Sequence, residues 1–196
     1  MIRDFKKGSI LLLDSVITFS ASELFSYKEL IFYSVISGLL SLERPVIKNK
    51  IIHCPEVLAQ IGDIKPGLKQ FAESLYYCDY KRFMQLFLPM LERVRSDFYL
   101  NEHAKYFCKQ MRVVAYAQFL EAYKSVKLQS MAEAFGISVA LMDKELSAFI
   151  ASGRIGSKID KVQGIVHSNR PDQRIALYQR TIKEVWIWLV LIFRFF

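Results

Sequence analysis

Glycine and proline are scarce in this chain, 8 and 5 among 196 residues. So few turn-forming residues exclude a many-stranded barrel or sandwich and leave little material for long loops. Cysteine is scarce too. Cys54, Cys78 and Cys108 form no Cys-x-x-Cys pair and have no histidine at ligand spacing, which argues against a disulfide framework or a zinc site and points to reduced thiols inside the cell. The three histidines, His53, His103 and His167, each stand without a partner motif. No His-Glu-x-x-His or nucleophile elbow occurs, and Gly153-Arg154-Ile155-Gly156 lacks the third glycine and the preceding strand of a phosphate-cradling loop. Acidic residues are scattered singly along helix faces rather than paired for acid–base work. The expectation is a non-enzyme with no cofactor, no metal and no small-molecule substrate. The start, Met-Ile-Arg-Asp-Phe-Lys-Lys, is charged and unlike a secretory signal, so a cytoplasmic and nuclear location is expected.

What the chain does have is apolar mass: 53% hydrophobic and 14% aromatic residues, far too much for disorder. A globular, mostly α protein follows. The net charge of +8 is concentrated in the second half and favours acidic partners, nucleic acid or protein, without choosing between them.

From Arg3 to about Ser125 the sequence reads as consecutive amphipathic helices. The first reaches about Phe19, with Phe5, Leu12, Val16 and Phe19 on one side. A second runs from Ser26 to about Leu42, where Glu43-Arg44-Pro45 stops it. Helices follow at Pro55–Ile61 and Pro66–Tyr77, each with proline in its first turn. Asp79 caps one reaching Phe98, and Asn101 opens the longest, to Ser125. Ser26-Tyr27-Lys28-Glu29-Leu30 and Asp79-Tyr80-Lys81-Arg82-Phe83 share a capping pattern that hints at repeated helical hairpins, as in a solenoid.

Beyond Leu128 the pattern changes period. Leu128, Met131 and Phe135, then Val139, Met142, Leu146, Phe149 and Ile150, fall at helical spacing. Gly136 ends the first of these helices, Ser138 caps the second and Gly153 closes it. Ile155 and Ile159 then share a strand face, and the polar stretch Asp160 to Gly164 turns the chain into Ile165 and Val166. Helix, turn, helix and hairpin in that order read as a winged helix. A reader of DNA places Arg, Lys, Asn or Gln on the outer face of the second helix. This one offers Asp143, Lys144, Glu145 and Ser147, whose acids repel phosphate, while Arg154, Lys158, Lys161 and Arg170 make the wing basic enough for weak phosphate contact. The other use of a winged helix is assembly, with a second subunit adding a strand at an exposed edge of the hairpin.

The solenoid followed by a winged helix, together with Met131-Ala132-Glu133-Ala134-Phe135-Gly136, Asp143 to Ile155 and Lys158-Ile159-Asp160-Lys161-Val162, resembles a PCI domain. Such domains are found in the proteasome lid, the signalosome and a translation initiation factor. The continuation Ile165-Val166-His167-Ser168-Asn169-Arg170-Pro171-Asp172 is most similar to a proteasome-lid member, and Leu42-Glu43-Arg44-Pro45, Met111-Arg112 and Ala115-Tyr116 look similar as well. The resemblance covers about residues 3–183. It implies a helical-repeat (TPR-like) part at 1–125, a winged helix at 126–170, and a C-terminal helix with an apolar tail at 171–196. It also implies a scaffold supporting ubiquitin-dependent degradation, whose partners are other lid subunits with PCI domains. Carried over by position, the winged-helix contact involves Ile155, Ser157, Lys158, Ile159, Ile165, Val166 and His167. A helix-bundle contact involves Gln173, Leu177 and Arg180. The alternatives are a nucleic-acid-binding regulator, or a PCI subunit of the signalosome or initiation factor.

Two features depart from the family. A further helical region precedes the matched part in family members. After Thr181-Ile182-Lys183 a polar-punctuated amphipathic helix is replaced here by Trp186-Ile187-Trp188-Leu189-Val190-Leu191-Ile192-Phe193, which puts bundle docking in question. The apolar run is far short of the roughly 20 residues that span a bilayer. It suits a buried helix end, a protein interface, or insertion into a membrane surface beside its tryptophans.

Overall fold

The computed structural model describes residues 4–20, 23–64, 66–169, 178 and 181–185. Helices dominate, with one small sheet near the end. Asp4 accepts a bond from the Lys7 amide and starts α1 (Phe5–Ser15). It stops four residues short of Phe19, which instead packs against Phe25 and Tyr27 in the following turn. Ser26 and Glu29 exchange side-chain-to-backbone bonds, a reciprocal cap that satisfies two otherwise unpaired donors and opens α2 (Tyr27–Ser41).

Helix α2 is apolar on every side and forms the centre of the helical part. Leu30, Ile31, Phe32, Val35, Ile36 and Leu39 are all at most 1% exposed. Its buried Ser34 and Ser37 donate back to the carbonyls of Leu30 and Tyr33, so neither hydroxyl is left unsatisfied. Gly38 permits a close approach: a Cβ there would stand 2.7 Å from Ile51 Cδ1, so that buried side chain would have to shift. Ile51 belongs to a π-helical turn (Lys48–Ile52) that follows the short α3 (Arg44–Ile47).

Proline in the first turn then begins α4 (Pro55–Ile64) and α5 (Pro66–Tyr76). Asp79 caps α6 (Tyr80–Ser96) by accepting from the Arg82 amide. The pentamers at Ser26 and Asp79 thus share a function, each capping a helix whose fourth residue, Leu30 or Phe83, is buried. A 3-10 turn (Asn101–His103) leads into α7 (Ala104–Ala122), the longest helix described. Stacked rings of Phe71, Phe83, Phe87 and Phe107 join α5, α6 and α7 at centroid spacings of 5.0, 5.9 and 6.0 Å.

Helix α7 ends at Ala122, and Ser125–Lys127 forms strand β1 rather than another helical turn. Then come α8 (Leu128–Phe135), α9 (Val139–Ala151), β2 (Ser157–Asp160) and β3 (Ile165–Ser168). The expected hairpin is therefore two strands of a three-stranded antiparallel sheet, in the order β1-β3-β2. This mostly helical chain with its small antiparallel sheet has the architecture of a winged helix placed after a helical array.

Candidate assembly interface

Local chemistry builds the winged helix. Gly136 lies in the left-handed region at φ 67°, where the amides of Gly136 and Ile137 close the end of α8 on carbonyls of Glu133 and Ala132. Ser138 accepts from the Leu141 amide to open α9. Asp160 Oδ1 accepts from the Val162 and Gln163 amides at 2.9 and 3.2 Å, shaping the turn from β2 to β3.

The sheet has two unlike faces. Val126, Val166 and Ile159 sit side by side across the three strands and pack inward, with Val166 fully buried. On the outer face Ser125, His167 and Lys158 make one row, and Lys127, Ile165 and Asp160 make the next. Since β3 is bonded on both sides, its backbone is committed. Among the described residues the open sheet edges belong to β1 and β2.

That arrangement sorts the residues expected to touch a partner. Lys158 and His167 are exposed, and Ile159 and Ile165 are half-buried. Ile155, Ser157 and Val166 are buried, so their side chains hold the wing to the helices rather than meeting a partner. Gln173, Leu177 and Arg180 lie outside the described residues, as does the Trp186–Phe196 tail.

The outer face of α9 is not acidic, contrary to the sequence reading. Glu145 turns inward and forms an ion pair with Arg112 of α7, and it accepts a second bond from the Tyr116 hydroxyl at 2.8 Å. Arg112 is fixed further by donating to the carbonyl oxygen and Sγ of Cys108. Burial, and then the bond to Glu145, hold the Tyr116 hydroxyl well above the usual tyrosine range. Asp143 accepts from Ser147 and pairs with Lys161 of the wing turn. Exposed on α9 are Val139, Ala140, Leu141, Lys144, Ala148 and Ala151, of which Lys144 alone is of a base-reading type.

Around this ionic joint the contact is aromatic. Phe135 of α8 packs on Tyr80, Tyr116 and Phe119 at 4.7, 4.9 and 5.6 Å, and Tyr116 also faces Phe149 of α9. The winged helix is thus keyed to the helical array by one aromatic plug and one charged clasp. Sequence reading missed the clasp. The available signal was Arg112 and Tyr116 four residues apart on one face of α7, opposite an acid of uncertain direction.

A cleft of about 530 Å³ lies beside the same joint, lined by Arg44, Cys78, Tyr80 and Gln118 among others. Cys78 is exposed and holds a left-handed backbone at φ 65°, and Gln118 donates to its Sγ at 3.1 Å. Burial pushes its thiol pKa up, but bonds from Tyr80 and Gln118 and the nearby Arg44 charge outweigh that, and the net shift is downward. Among the described residues no group of three His, Cys, Asp or Glu gathers as a metal site, and no helix is long and apolar enough to cross a membrane.

Comparison with known proteins adds independent information. Residues 82–170 match the PCI domain family, and residues 1–50 match the family described as 26S proteasome subunit RPN7. A 26S proteasome non-ATPase regulatory subunit 6 homolog of Arabidopsis thaliana is 47% identical over 182 residues, covering 93% of this chain and 47% of that protein. The subunit 6 of Oryza sativa subsp. japonica is 48% identical over 182 residues, with 93% and 46% covered. COP9 signalosome complex subunit 1 of Arabidopsis thaliana is more distant, 26% identical over 164 residues, covering 84% of this chain and 37% of that protein. The chain spans about half the length of the curated proteasome relatives it matches.

Proposed function

Because this chain is a homologue of the 26S proteasome non-ATPase regulatory subunit 6 and carries a PCI domain, we propose that it is a non-catalytic scaffold of the proteasome regulatory-particle lid. In this reading it associates with other PCI-containing lid subunits through its winged helix and supports ubiquitin-dependent degradation. The observation that carries it is a sheet with two edges open among the described residues, mounted on a helical array by the Phe135 plug and the Glu145 clasp. An open strand edge offers main-chain bonds to a partner strand, and a rigid mount defines the direction in which that partner extends.

We divide the chain accordingly into a helical-repeat part at 1–125, a winged helix at 126–170 and a C-terminal segment at 171–196, the first boundary falling within β1. The exposed residues Lys158 and His167 and the half-buried Ile159 and Ile165 are the proposed contacts on the sheet, with Gln173, Leu177 and Arg180 proposed for the C-terminal contact. A cytoplasmic and nuclear location accompanies the lid assignment.

The lower identity to the signalosome subunit favours the proteasome over that complex, and an α9 whose single exposed candidate base reader is Lys144 counts against a nucleic-acid reader. Affinity purification of the tagged chain is expected to recover other lid subunits. Recovery of signalosome or initiation-factor subunits in their place would overturn the assignment.

A further inference from the structure

The assembly reading leaves open which sheet edge is used and what chemistry it selects. We propose that the open edge of β2 receives a strand from a different protein chain, with acidic residues on that strand's outward face and apolar residues on its inward face. This inference rests on the assembly reading and adds the edge and the sign of the partner's charge.

Position decides the edge. β1 has three residues and runs directly into α8 at Leu128, so a strand laid beside it meets the helix almost at once. β2 has four residues, follows Gly156 and leads into an exposed turn. An incoming strand beside β2 continues the existing rows. Its outward residue in the Ser125–His167–Lys158 row stands about 5 Å from Lys158 between Cβ atoms. Its inward neighbour meets the half-buried Ile159.

Charge decides the partner. The outer face carries Lys158, Lys127 and His167, and its one carboxylate, Asp160, already accepts from the Val162 and Gln163 amides. Among the described residues neither Lys158 nor Lys127 forms an ion pair, whereas Lys161 is held by Asp143. A carboxylate opposite Lys158 gains a cross-strand pair, and a cation there is repelled. The net charge of +8 acts in the same direction, opposing association with a second copy and favouring an acidic chain. A nucleic acid is acidic as well, but it cannot use the free main-chain groups of a strand edge in register, and α9 beside the wing exposes Val139 and Leu141 with Lys144 as its single candidate base reader.

The test combines this chain with the remaining co-expressed proteasome-lid subunits and measures its affinity at low and high salt. Wild type should bind with an affinity that falls as salt rises. Lys158→Glu should weaken binding by about tenfold or more through like-charge opposition, Lys158→Gln by less, and Lys127→Glu on the other edge least. Circular dichroism confirms that each variant is folded, as expected for exposed positions. Wild type that fails to bind the lid subunits overturns the assembly reading and this inference with it. Binding that is unchanged by Lys158→Glu, or weakened more by Lys127→Glu, overturns the inference alone. So does stronger self-association of Lys158→Glu in sedimentation, which makes the lysine a guard of the edge. Salt-sensitive binding of duplex DNA that Lys158→Glu abolishes assigns the edge to nucleic acid and also overturns it.

Discussion

Glu145 shows how one side chain can change the reading of a surface. On a helix read in isolation it is an outward acid, yet it accepts from both Arg112 and Tyr116 across the joint. Its side chain is 14% exposed and that of Arg112 24%, so removing the carboxylate strands a largely covered guanidinium and a hydroxyl. Glu145→Ala is expected to lower unfolding stability by about 2 kcal/mol, and Glu145→Gln, which keeps an acceptor, by roughly half as much. Chemical denaturation checks this, and equal effects from the two variants would count against the clasp. Cys78 gives a second residue-scale expectation. Its thiol is shifted down and exposed, while burial foremost, and then the bond to Glu56, raises that of Cys54. Because the thiolate is the nucleophile, iodoacetamide at neutral pH should label Cys78 ahead of Cys54 and of the half-buried Cys108. Peptide mass mapping over time reads the order, and Cys54 leading would sink the expectation.

Four element termini lie where local chemistry places them. Ser26, Asp79, Ser138 and Gly136 each sit at the terminus their residue type suggests, because a cap is decided within four residues. Two glycines separate this effect from general helix preference. Gly136→Ala forces a side chain into the left-handed region, with its Cβ 3.4 Å from Lys81 Cγ, and should cost about 1 kcal/mol. Gly8→Ala, inside α1 with nothing within 4 Å of the new Cβ, should stabilise by up to about 1 kcal/mol through better helix propensity. Thermal melting should shift by roughly 2–4 °C in opposite directions. Shifts of the same sign would contradict the assigned end of α8. Strand β1 was illegible for the converse reason. Ser125-Val126-Lys127 has one inward residue, too short for a period, and its partner Val166 lies far along the chain. The π-helical turn at Lys48–Ile52 was likewise hidden, since its buried isoleucines fit no single template.

For the molecule as a whole, three covered tyrosines in different places set one pH response. Tyr33, Tyr80 and Tyr116 are all raised from 10.0, burial being the largest cause for each, followed by bonds to Asp97, Cys78 and Glu145 respectively. The unfolded chain releases these protons near pH 10 while the folded chain retains them. The stability they confer is therefore complete below that pH and is lost as pH rises toward the folded values. Denaturation midpoints should fall between about pH 9 and about pH 11, and Tyr33→Phe should flatten the fall. An unchanged slope in that variant would remove Tyr33 from the account. The sequence by itself determined the helical class, the helix-turn-helix-wing order and the family likeness, because caps, periodicity and tight turns act over a few residues. Only the tertiary structure decided that the wing is a three-stranded sheet with β3 inside, that Val166 is core rather than contact, and that Glu145 clasps Arg112 from 33 residues away. Those outcomes depend on which distant segments meet once the aromatic core closes, and no local pattern records that meeting.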